Sequence, residues 1–162
     1  MSKVEDIYPG AERMINEIIR NEFIAQGHTL TGTAEASLGY QSSSTGKTDT
    51  MTGTMVDYAK YVRDGFPAES SSFRQFPFVY KYLLQRGYPD KEAKRFAAMT
   101  IRKWMKEGMS TQASKRFSST GARQHFVESA FTGHEHEIDQ YMSSSLDFLV
   151  DEEYHKEKSE TI

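Results

Sequence analysis

Apolar residues in this 162-residue chain recur at three- and four-residue steps over most of its length and alternate strictly in one short region, a periodicity that confines the fold to α+β. Met14, Ile15, Ile18, Ile19 and Phe23 put one apolar face on a helix from Pro9 to about Gln26, with Pro9 suited to its first turn and Gly27 to its end. From Thr33 to Tyr40 the period drops to two, with Ala34, Ala36, Leu38 and Tyr40 on one side, which predicts a half-buried strand. A second run, Thr50 to Asp57, is rich in Thr, Met and Val and pairs with it as an antiparallel hairpin across residues 41–49. Tyr58 to Gly65 reads as a short helix stopped by its glycine, and Phe66 to Arg74 as a Ser-rich loop.

Two helices follow, one from Gln75 or Pro77 to Arg86 and one capped by Asp90 and ended by Gly108. The second carries the clearest stripe of the chain: Ala93, Phe96, Ala97, Thr100, Ile101, Trp104 and Met105, with Trp104 expected in the core. Met109 to Gly121 is a polar connection. Ala122 to about Leu149 is the longest helical segment, with Phe126, Val127, Ala130, Ile138, Tyr141, Met142, Leu146 and Leu149 as its apolar side and Gly133 as its weak point. The expected architecture is therefore an N-terminal helix, an antiparallel β-hairpin or small sheet, a helical insertion at 74–108 and a long C-terminal helix. These form one domain over residues 1–150, followed by a polar, frayed tail at 151–162.

No segment approaches the roughly 20 consecutive apolar residues that span a bilayer, so no membrane partner is expected. The first residues lack the apolar centre of a secretory signal. With no cysteine, disulfide scaffolds, thiolate zinc sites and cysteine nucleophiles are excluded, and the expectation is a protein made in a cytoplasm. Hydrophobic residues make up 37 % of the chain, a thin supply for this length. Polar loops lying outside the core, or apolar surface completed by neighbouring subunits, would account for it.

The net charge of −3 is distributed in blocks. Residues 1–73 carry net −4, residues 74–123 net +9 and residues 124–162 net −8. A basic middle and an acidic end attract one another within a subunit or between copies, or the basic face is simply solvated or meets nucleic-acid phosphates.

Constellations that carry chemistry are weak. Ser44-Thr45-Gly46-Lys47-Thr48 ends like a phosphate-binding loop, but Gln41 stands where the leading glycine belongs and the segment joins two strands, which favours a hairpin tip. His134-Glu135-His136-Glu137, with Asp139, is dense in ligand types, yet the two histidines point about 200° apart on a helix, as on a solvated surface. His28, His125, His134, His136 and His155 sit in no arrangement that activates a serine. Neither catalytic residues nor a cofactor or metal site is assigned, and no enzyme is expected. Phe73, Phe76, Phe78, Tyr80 and Tyr82, beside basic residues, suit either a stacking platform for single strands or a subunit interface.

Three segments carry a resemblance. Thr31-Gly32-Thr33-Ala34-Glu35-Ala36-Ser37, Tyr58-Ala59-Lys60-Tyr61-Val62-Arg63-Asp64-Gly65, and Ala122-Arg123-Gln124-His125-Phe126-Val127-Glu128-Ser129-Ala130, an Arg followed by an aromatic and a small residue, resemble the tail-component family of long-tailed bacteriophages, the neck or tail-completion proteins of the Hong Kong siphophage type. The likeness covers about residues 9–147, and Tyr58–Gly65 is its most specific part. Compact members of the family have a short loop in place of residues 74–108. The resemblance implies that Thr31, Gly32, Ser37, Ala59, Gly65, Arg123 and Phe126 hold the fold. It also implies a virion protein of the head–tail junction: a homo-oligomeric ring, commonly a hexamer, between head-closure and tail-terminator or tail-tube proteins, with DNA passing through its lumen without sequence specificity.

The subunit interface expected from exposed motif positions and the basic block comprises Tyr58, Tyr61, Arg63, Lys94, Arg102, Lys103 and Lys106. The competing expectation is a small nucleic-acid-binding protein using the basic helix 91–106, through Lys91, Lys94, Arg95, Arg102, Lys103 and Lys106.

Overall fold

A computed structural model describes residues 7–28, 32–45 and 48–160. The protein is α+β and mostly helical, in the order α1 (Tyr8–Ala25), α2 (Thr33–Ala36), β1 (Gly39–Ser44), β2 (Asp49–Thr54), α3 (Ala59–Asp64), α4 (Phe76–Gln85), α5 (Asp90–Glu107) and α6 (Phe126–Glu160). Short 3-10 turns at Ala68–Ser70, Phe73–Gln75 and Gln112–Phe117 fill the connections. Gly46 and Lys47 of the phosphate-loop-like segment lie outside the described residues, as does Thr31.

The main core is built where the amphipathic faces of α1 and α6 meet. Ile15, Ile18, Ile19 and Phe23 of α1 pack with Phe126 and Ala130 of α6 and Ala34 of α2, and Leu38, Tyr40, Met51 and Val56 of the hairpin region close over them. Phe23 and Phe126 meet edge to face, ring centres 5.0 Å apart, the arrangement that aligns a ring's positive rim with its neighbour's negative face.

The alternation at Thr33–Tyr40 does not mark one strand. Ala and Glu favour a helix, and Gly32, at φ +74°, starts a single turn that buries Ala34 and Glu35 and leaves Ala36 exposed. Ser37 then secures the turn: its hydroxyl donates to the Ala34 carbonyl at 2.7 Å and accepts from the Val56 amide at 3.1 Å, tying α2 to the end of β2. β1 consequently starts later and runs further than expected, whereas β2, at Asp49–Thr54, begins one residue before and ends three residues before the expected Thr50–Asp57. They pair antiparallel from Gly39 with Thr54 to Ser44 with Asp49, and the connection shrinks to residues 45–48.

A second, smaller cluster holds the insertion. Val79 of α4 meets Ala97 and Ile101 of α5, with Phe76, Tyr80, Leu83 and Trp104 around them. α4 and the 3-10 turns at Ala68–Ser70 and Phe73–Gln75 cover α5 on one side only, so the buried strip is narrower than the apolar stripe: Phe96 and Met105 are exposed and Trp104 is half-buried, its ring perpendicular to that of Phe66. Asp90 is the first helical residue and not the cap; its carboxylate takes Lys94 and the Tyr80 hydroxyl.

The last helix begins at Phe126, four residues later than its composition predicts, because Arg123, Gln124 and His125 spend their hydrogen bonds on distant backbone and the Ala122 amide donates to the Thr120 hydroxyl. It breaks at His134 (φ −126°, ψ 16°), immediately after Gly133. Leu146 is exposed. Residues 151–160, expected to fray, continue α6 as solvent-exposed helix, with exposure described through Ser159.

Candidate subunit interface

Positions i, i+4 and i+8 of α5, namely Ala93, Ala97 and Ile101, are fully buried, the last two against Val79 of α4, and define the helix's inner side. At 3.6 residues per turn, Lys91, Arg95, Met99, Arg102 and Lys106 fall on the outer side, and all five are exposed. This row spans about 22 Å at 1.5 Å per residue. Met99, 52 % exposed, stands at its middle with an arginine to either side.

Of the basic residues expected at an interface, Lys94 and Lys103 belong elsewhere. Lys94 donates to Asp90 at 2.8 Å, and Lys103 lies 3.8 Å from Glu107, each pair one helical turn apart. The Asp90 carboxyl is held below its usual range, first by the Lys94 hydrogen bond and then by that of Tyr80. Arg102 and Lys106 make no ion pair among the described residues, and neither do Lys91 and Arg95. The i, i+4 placement of Asp90 and Glu107 is visible in the sequence and separates the paired lysines from the row.

Tyr58 and Tyr61 are exposed at the start and middle of the α3 segment. Burial, then the Glu35 carboxylate, raises the pKa of the Tyr58 phenol. Arg63 donates to Asp64 at 2.6 Å and lies 3.8 Å from Glu128, so its charge is largely answered within the subunit. That hydrogen bond lowers the Asp64 carboxyl and raises the Arg63 guanidinium.

Of the remaining motif positions, Ser37 ties α2 to the end of β2, Phe126 lies in the main core, and Gly65 and Arg123 stand where remote segments of the chain meet. Ala59 is buried. Gly65, at φ +69°, ψ −162°, ends α3 so close to the Gln124 side chain and the Met109 carbonyl that a Cβ would collide with both. Gln124 donates to the carbonyls of Asp64 and Met109 at 3.0 and 3.1 Å, and the His125 amide donates to the Arg63 carbonyl. Arg123 donates to the carbonyls of Gln26 and Gly27 at the end of α1, where the Ser119 amide and hydroxyl also serve Ala25. A helix leaves its last carbonyls without internal donors, and here a segment about a hundred residues away supplies them. Gln124 and Met109 were not legible as site residues, because hydrogen bonds between remote segments leave no periodic signal.

His28 packs against the rings of Phe23 and Phe126. Burial, followed by the positive charge of Arg123, lowers its pKa to about 4. His134 pairs with Glu137 at 2.9 Å on the solvent side of α6. Among the described residues no three His, Asp or Glu side chains gather in a metal-sized cluster.

The outer side of α6 mirrors that of α5 in chemistry. α6 faces α1 through Tyr141, Ser145 and Leu149, beside Ile7 and Met14, around an open groove. The side turned away carries Asp139, Leu146, Asp147, Val150 and Tyr154, all exposed. Among the described residues no helix is long and apolar enough to cross a membrane. No family model, curated protein or solved structure matches this chain.

Proposed function

We propose that the chain is a structural subunit of a phage head–tail junction that works as a homo-oligomeric ring, in a neck or tail-completion position, with DNA crossing the lumen. The observation that carries the self-assembling part of this reading is the imbalance between core and surface. Six of the buried apolar residues are alanines (Ala11, Ala34, Ala59, Ala93, Ala97 and Ala130), whereas Tyr61, Phe78, Phe117, Phe148, Val150 and Tyr154 are each 60 % or more exposed. Large apolar side chains displayed this widely on a thin core suit a subunit whose neighbours complete its burial. The placement at a virion junction rests on the sequence resemblance at Tyr58–Gly65.

Negative-stain imaging with native mass measurement on the concentrated protein tests it. Closed rings with a pore that passes duplex DNA are expected. A protein that remains monomeric at every concentration, alone and with head-closure or tail-tube proteins, overturns the reading.

The outer row of α5 favours a second reading, a nucleic-acid-binding protein. Its signature is binding of a short DNA duplex by the isolated protein that weakens steeply with salt.

A further inference from the structure

We propose that the outer face of α4, together with the neighbouring turn at Gln112–Phe117, binds single-stranded nucleic acid. The inference does not depend on ring assembly, and it uses a different face of the insertion from the α5 row.

Two stretches of the chain, residues 70–89 and 108–127, hold six lysines and arginines and no aspartate or glutamate. The fold brings them together at the end of α1. The Ser118 and Ser119 hydroxyls donate to the Ala25 carbonyl, and the Phe117 carbonyl and the Arg123 guanidinium crowd the same side of Gly27. Tyr82 and Arg86 of α4 lie close enough to Arg123 to act on its charge.

α4 turns Phe76, Val79, Tyr80 and Leu83 toward α5. Its other face, extended by Arg74 of the preceding turn, carries Phe78, Lys81 and Tyr82, all exposed, with Phe78 open to 76 %. Arg116 and Phe117 repeat the pairing on the second stretch, the guanidinium 4.8 Å from the centre of a ring that is 63 % exposed. Among the described residues Arg74, Lys81 and Arg116 take part in no ion pair. The first acid after α4, Asp90, is taken up by Tyr80 and Lys94.

Cation and ring thus alternate over an acid-free surface, as phosphate and base alternate along a single strand. Exposed rings take unpaired bases by stacking, whatever the base, while the cations neutralise phosphates. Phe78 and Tyr82 stand one helical turn apart, about 6 Å, which leaves room for a base on each. A duplex keeps its base faces stacked on one another, so it gains from the charge alone. The outer row of α5, by contrast, holds Met99 among its cations and no ring.

A second copy of the chain is the competing occupant. A protein–protein contact gathers apolar side chains at its centre and charges at its rim, whereas here cations and rings interleave. Tyr61, Phe148, Val150 and Tyr154 remain for neighbouring copies.

Fluorescence anisotropy of the full chain with a labelled oligo(dT) strand, and with a duplex of equal length, tests the assignment. At low salt the wild-type protein should bind the strand at least about 10-fold tighter than the duplex. F78A and F117A should each weaken strand binding about 5-fold or more, the scale of one lost stack, and F78W should retain it. K81Q/R116Q should lower the slope of log affinity against log salt by about 1.4, at about 0.7 per phosphate. R95Q/R102Q on α5 should leave strand binding unchanged. All these side chains are exposed, so circular dichroism should show every variant folded. Strand binding that is absent, no tighter than duplex binding, or unchanged in F78A/F117A overturns the proposal. Its loss in R95Q/R102Q also overturns it and moves the site to α5. Loss of self-association in F78A/F117A with strand binding intact overturns it in favour of a second copy. Strand binding and ring imaging are separate readouts, so either reading can fail without the other.

Discussion

Arg123 donates through one guanidinium nitrogen to the carbonyl of Gln26 at 2.7 Å, closing the end of the first helix from a point 97 residues further along the chain. The same nitrogen reaches the Gly27 carbonyl at 3.1 Å. The end of α1 carries the negative pole of the helix, so a cation there is favoured by the dipole as well as by the hydrogen bonds.

Arg123→Ala should therefore cost about 2–3 kcal/mol, the scale of hydrogen bonds from a charged donor with the acceptors left behind. In a chain of this length, thermal unfolding should shift down by roughly 5–10 °C. Arg123→Lys, which keeps the charge but not the fork, should recover part of the loss.

His28 gives stability a dependence on pH. Its folded pKa of about 4 lies below the ordinary 6.5, so the unfolded chain takes up the proton first as pH falls. The stabilisation is complete above about pH 6.5 and declines progressively down to about pH 4. His28→Gln should flatten the fall in melting temperature between pH 7 and 5. Arg123→Ala should raise the His28 pKa, visible by NMR titration of the ring protons.

Gly65→Ala should destabilise by at least about 2 kcal/mol. The backbone there lies in a region that is nearly confined to glycine, and the added methyl would displace the Gln124 amide from the Asp64 and Met109 carbonyls. Denaturant melts with an unchanged slope and a lowered midpoint are the expected record.

Phe126→Ala should cost about 3–5 kcal/mol, since the ring is 1 % exposed and packs on Phe23. Trp104→Ala should cost less, about 2–3 kcal/mol, because the indole, though packed against the Val79, Ala97 and Ile101 cluster and against Phe66, is only half-buried. Phe148→Ala, at 68 % exposure, should leave the melting temperature within about 1 °C.

The helices were legible because their apolar residues repeat with a helical period over many turns. Ile15, Ile18, Ile19 and Phe23 are buried as that period predicts. Thr33–Ala36 misled because two alanines fit either period, and the tie between Ser37 and Val56 that settles the conformation joins residues 19 apart. Phe96 and Met105 share the apolar stripe of α5 yet stay exposed, because periodicity gives the width of a stripe and not the width of what covers it. The basic residues on α5 were visible from composition. Sorting Lys94 and Lys103 from Arg102 and Lys106 required asking which of them has an acid one turn away. The hydrogen bonds of Arg123 and Gln124 join backbone groups that no local pattern connects.

Phe66 and Met109 exchange both backbone hydrogen bonds, at 3.0 and 2.9 Å, so the chain leaves the main body and re-enters it at one paired point. Everything between them is a detour that begins and ends in the same place. The pairing holds the two ends of that segment together, while Tyr82 and Arg86 of α4 come near enough to Arg123 to act on its charge. The excursion is thus a tethered arm, fastened at the seam of Phe66 and Met109 and felt by the body at Arg123.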